Sequence, residues 1–98
     1  AIGPHAAVAV DGASFWMGEN NFYAFDGRVR KLDCTVRRFV YDNINLVNKD
    51  KIFAAVNSEF HEIMWLYPSG VASEPNAYVC YNYMEDIWTY GTGFYLGK

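Results

Sequence analysis

The sequence predicts a mainly β protein: two four-stranded antiparallel units with one short helix between them. Three observations carry this expectation. The chain is rich in rings, its apolar segments are strand-sized and separated by turn residues, and its second half repeats the order of its first. The 98 residues include 7 Phe, 8 Tyr and 3 Trp, with 52% hydrophobic and 19% charged residues. Such a composition suits an aromatic core and excludes both a disordered tail and a charge-rich coiled coil. A chain this short holds one core, so 1–98 is read as a single unit.

The first unit spans 5–32. HAAVAV (5–10) ends in Asp11-Gly12, a pair that accepts the positive φ angles of a tight hairpin, and ASFWM (13–17) follows at once. The cluster Gly18-Glu19-Asn20-Asn21 then precedes FYAF (22–25), and Asp26-Gly27 leads into RVRKL (28–32). In the next segment, 33–45, the periodicity changes. Val36, Phe39, Val40 and Ile44 fall at i, i+3, i+4 and i+8, one face of a helix within 34–44, with Asp33 or Thr35 as its expected cap. After a polar turn at Asn48-Lys49-Asp50 a second unit spans 51–90, with strands at 51–57, 61–67, 77–83 and 87–90. The run Ile63-Met64-Trp65-Leu66-Tyr67 is apolar without alternation, as a strand covered on both faces requires. Trp65 is therefore expected to be among the most buried residues.

The halves correspond. AVAVDGASFWM lies against FAAVNSEFHEIMW, placing Trp16 and Trp65 49 positions apart, and FYAFDGRVRKL lies against YVCYNYMEDIWTYG. Four strands repeated at this spacing are the pattern of β-propeller blades. An eight-stranded sandwich or barrel with one helix has the same strand count. Two blades leave broad apolar faces, so a larger propeller or an oligomer is expected. The opening AIGPHAAVAV, which lacks a methionine, and the mid-pattern ending GTGFYLGK lead us to expect a processed product or a portion of a longer chain.

Chemistry-bearing groups are sparse. His5 and His61 stand 56 positions apart without metal-ligand spacing, and there is no nucleophile elbow, phosphate loop or dinucleotide fingerprint. Glu85-Asp86 falls at an expected turn. Cys34 and Cys80 are read as buried small residues, though a single bridge between them is open. No catalytic, cofactor-binding or metal-ligating residue is expected, and so no enzyme. No apolar run approaches the roughly 18 residues of a membrane span. The net charge of −3 disfavours a strongly basic nucleic-acid binder, yet Arg28, Arg30, Lys31, Arg37 and Arg38 face only Asp33 within 28–38. Arg28 and Arg30 are expected on one side of a strand with Val29 on the other. With Arg37 and Arg38 they are the candidate contacts to a DNA backbone. The rings Trp16, Tyr23, Trp65, Tyr67, Tyr83, Trp88 and Tyr90 offer a second reading, a carbohydrate-stacking face, but no polar set accompanies them to fix sugar hydroxyls, and most are better explained as core and blade-to-blade packing.

The phrases FWMGENNFYAFDGRVRKLDC, Ile44-Asn45, KIFAAVNSEFHEIMWLYPS and NAYVCYNYMEDIWTYG resemble a recurrent segment of propeller-bearing tail structural proteins of tailed bacteriophages, of the nozzle or DNA-stabilising kind. The resemblance covers residues 1 to about 92. It implies a portion of a tail ring or tube that holds and conducts the genome. The implied partners are further subunits of the same assembly, as a homo-oligomer, other tail proteins, and duplex DNA without sequence preference. The implied setting is the virion, assembled in the host cytoplasm, with no cofactor. The alternative is a binding module, a propeller recognising carbohydrate or a receptor.

Overall fold

A computed structural model describes residues 2, 3 and 5–92; the closing phrase GTGFYLGK lies, from position 93 on, outside them. Eight strands run as β1 (Ala7–Val10), β2 (Ala13–Met17), β3 (Phe22–Phe25), β4 (Val29–Leu32), β5 (Phe53–Asn57), β6 (Glu62–Tyr67), β7 (Ala77–Asn82) and β8 (Ile87–Thr92), with helix α1 (Arg37–Asn43) between β4 and β5. They form two four-stranded antiparallel sheets in simple order, β1-β2-β3-β4 and β5-β6-β7-β8. The chain is thus mainly β, as the sequence predicts.

Local chemistry sets the hairpins. Asp11 and Gly12 both take positive φ, 51° and 80°, the two-residue turn whose twist matches the flanking strands. The β5–β6 and β7–β8 loops have four residues each and close through a left-handed residue, His61 and Asp86 respectively. In the latter, Asn82 Oδ1 accepts the amides of Met84 and Glu85 at 3.0 and 2.9 Å, supplying partners that the ladder no longer provides.

Helix α1 differs from expectation in its cap. Val36 occupies the N-cap position and no side chain accepts from the first turn, so neither Asp33 nor Thr35 caps it. The helix is anchored by its contacts instead. Tyr41 Oη donates to the carbonyls of Gly18 and Asn21 at 2.7 and 3.1 Å, Phe39 packs on Tyr90 with ring centroids 4.0 Å apart, and Val40 is fully buried. A 3-10 segment, Leu46–Lys51, occupies what the sequence reads as a polar turn and the start of a strand. Its Asn45 cap accepts from the Val47 amide, and its last turn takes up the residues before β5.

The sheets stack face to face. Side chains alternate along each strand, so each sheet has an inner face toward the other and an outer face away from it. Phe15, Met17, Phe22, Ala24 and Leu32 are the buried inner residues of the first sheet; Ile63, Trp65, Tyr67, Ala77, Val79, Tyr81 and Trp88 are those of the second. Phe22 sits between Trp65 and Trp88, 4.9 Å from each ring centroid. The Trp65 indole, fully buried as expected, donates to the Ala6 carbonyl at 2.9 Å and so ties the sheets together. At the first strands, His5 and Phe53 form a parallel bridge, and the Ala54 amide donates to the His5 carbonyl at 2.9 Å. β4 and β8 are the opposite edges of their sheets.

Candidate functional site

The basic stretch is where sequence reasoning points first, and the fold divides it. Arg28 is a turn residue between β3 and β4 and not part of the strand. Arg30 lies in β4 opposite Ala24, on the inner side, near enough to the Tyr81 phenol for its charge to act there. Arg37 and Arg38 open α1 and, with Asn21, Lys31, Asp33 and Cys34, line a cleft of about 440 Å³. Arg37 Nε donates to the Asn20 carbonyl at 2.7 Å, which fixes one wall of this cleft to the β2–β3 turn. Three cations thus meet one carboxylate, and the cleft is locally positive. Among the described residues the ion pair is Lys51 with Glu74 at 3.4 Å, and none of the four arginines joins a carboxylate. The arginines are exposed, and they sit at the β4 edge and on the helix after it, away from the approach of β1 and β5.

The cleft holds one latent nucleophile. Burial pushes the Cys34 thiol up to about 11, so at neutral pH it is protonated and poorly reactive. Cys80 is likewise buried and held above its ordinary value by desolvation; both cysteines are free. The acids expected at turns act as hydrogen-bond acceptors. Asp86 Oδ1 accepts from Tyr81 Oη at 3.0 Å, and Asp11 Oδ2 accepts from Tyr83 Oη at 2.6 Å, linking the first hairpin turn to the last loop. The Asp11 bond is the main reason the Tyr83 phenol is raised to about 12. His61 closes the β5–β6 loop with its ring edge-on to Tyr83.

The aromatic candidates separate into core and surface. Trp65, Tyr67 and Trp88 are buried between the sheets, as core packing requires, so these three are not available to a sugar. Of the other four, Tyr83 packs on Phe15 and Tyr90 on Phe39, with ring centroids 5.6 and 4.0 Å apart, while Trp16 and Tyr23 lie half-buried on the first sheet's outer face, stacked on each other at 5.7 Å with an interplanar angle of 22°. Beside them Phe25 and Val29 are 46% and 58% exposed, and on the second sheet's outer face Ile87 is 51% exposed. The sequence reading expects broad apolar faces on such units but does not say which residues form them. The signal was present, since Trp16-Met17 and Tyr23-Ala24-Phe25 are apolar at both alternating positions. No family model matches the chain, and no curated protein matches it.

Proposed function

We propose that the chain is a non-enzymatic structural piece of a bacteriophage virion, two propeller-like blades of a tail ring or tube that holds and conducts the genome. The observation that carries the reading is the parallel approach of the first strands, His5 to Phe53, in two meander sheets stacked face to face. Propellers are built from such four-stranded sheets around a central channel. The resemblance of its sequence phrases to those of phage tail proteins is what suggests the virion setting. In such a ring β1 and β5 line the bore, so Arg28, Arg30, Arg37 and Arg38 meet DNA from the rim or an end face. Three cations at the α1 cleft favour that contact.

A carbohydrate- or receptor-binding module is the second reading, favoured by the stacked Trp16–Tyr23 pair on an open face. Titration with nonspecific duplex DNA and with a glycan panel, at low and high salt, separates the two. The tail reading expects weak DNA binding without sequence preference that is lost as salt rises and when all four arginines are changed to Ser. Glycan binding that persists in salt and ignores the arginines rejects it in favour of the module.

A further inference from the structure

The two sheets share one pairing pattern. Ala7, Trp16, Tyr23 and Lys31 lie side by side across the first sheet, and Ala54, Trp65, Val79 and Tyr90 lie side by side across the second. Trp16 is therefore the structural counterpart of Trp65, and by the same register Ala6 corresponds to Phe53, Phe22 to Tyr78, and Leu32 to Gly91. The faces follow from this matching. The inner face of the first sheet corresponds to the outer face of the second, and the outer face of the first corresponds to the inner face of the second.

The joint inside the molecule is thus made of one half from each sheet, and the two outer faces are second copies of those halves; on the second sheet's outer face Met64 and Tyr78 are partly exposed and Leu66 is buried. Met64, Leu66 and Tyr78 stand where Phe15, Met17 and Phe22 stand in the joint; Trp16 and Val29 stand where Trp65 and Trp88 do. The polar groups are duplicated as well. Trp65 Nε1 donates to the Ala6 carbonyl, while the indole N–H of Trp16 has no acceptor among the described residues. The Ala54 amide donates outward to His5, and its counterpart, the Ala7 amide on the edge strand β1, has no acceptor among the described residues either. A carbonyl carries two lone pairs, and the Ala6 carbonyl uses both, for Met17 N and for Trp65.

We propose that a second copy of this chain docks head to tail, laying its Trp16 face on the Met64–Tyr78 face of the first and repeating the internal joint between molecules. Trp16 Nε1 of the second copy then donates to the Phe53 carbonyl, its Ala7 amide donates to the Ile52 carbonyl, and Tyr78 takes the place of Phe22 beside the indole. The occupant is a copy of this chain because it presents both halves of the joint, in the order and register the joint requires. Each copy adds two sheets, so closure at the 4 to 8 sheets usual for such rings takes roughly two to four copies. The inference rests on reading the sheets as repeated ring units and not on the tail setting, so the DNA titration can fail with the association intact.

Sedimentation equilibrium over a wide concentration range tests it. The expected species is a discrete assembly of roughly two to four chains. Trp16→Phe, which keeps a ring and removes the N–H, is expected to weaken association by about 2- to 10-fold per joint. Trp16→Lys and Met64→Lys each spoil one half of the joint, so each alone is expected to be monomeric, with an unchanged circular dichroism spectrum. Mixed together they are expected to form a 1:1 dimer, because one intact half remains on each. Val71→Lys, in a fully exposed loop, serves as the control that leaves association unchanged. A wild-type monomer at all concentrations overturns the proposal and leaves these faces to another partner. A mixture of the two variants that stays monomeric overturns it too, since it indicates like face on like face.

Discussion

At the scale of single residues, the buried rings do two different jobs. Trp65 fills the space between the sheets and also satisfies the Ala6 carbonyl. Trp65→Ala removes both and leaves a cavity, for an expected loss of about 3 to 5 kcal/mol in chemical denaturation. Unchanged stability would show that the indole is not part of the core. Tyr67 is also fully buried, but its hydroxyl has no hydrogen-bond partner among the described residues. Tyr67→Phe removes a buried polar group and no bond, so it is expected to be neutral or stabilising by up to about 1 kcal/mol. A loss of similar size would reveal a partner for that hydroxyl. Aromatic abundance in the sequence points to both as core rings, while the unsatisfied oxygen becomes visible only once its neighbours are in place.

At the scale of elements, the strands and the helix owe their existence to different terms. Each strand has turn chemistry on at least one side, and Asp11-Gly12 sets a hairpin register that any sequence reader can infer. Helix α1 has seven residues, many of them weak helix formers, and no capping side chain. It persists because Tyr41, Phe39 and Val40 reach partners from the β2–β3 turn and β8. Its amides are therefore expected to exchange with solvent through local opening, well before those of the central strands β6 and β7, which should exchange only on global unfolding. Native-state hydrogen exchange checks this, and equal protection in all three elements would refute it. Gly91 illustrates a sheet-level constraint. A Cβ there would lie 2.5 Å from the Tyr78 ring on the neighbouring strand, so Gly91→Ala is expected to cost about 1 to 3 kcal/mol through displacement of that ring, measured by thermal melting.

At the scale of the whole molecule, stability is coupled to pH through groups buried by the stacking. Burial holds Cys34 at about 11 against an ordinary 9.0, and holds Tyr67 and Tyr81 at about 12 against 10.0. The folded state keeps these protons longer than the unfolded chain. Their contribution is complete below about pH 9 and is lost as pH rises through 11 to 12. The melting temperature is expected to fall across that window, with tyrosinate absorbance appearing as the protein unfolds. A flat melting temperature to pH 12 would refute the buried placement of these groups.

The sequence by itself determined the strand count, the hairpins, the repeat and the burial of Trp65, because turn residues and alternation act over a few positions. Only the tertiary structure decided which rings face inward, that Arg30 parts from Arg37 and Arg38, and that the two outer faces duplicate the joint between the sheets. The physical reason is that a period of two gives each strand two faces without saying which is covered. That choice is made by the partner sheet, whose residues lie 40 or more positions away, as Phe22 lies from Trp65.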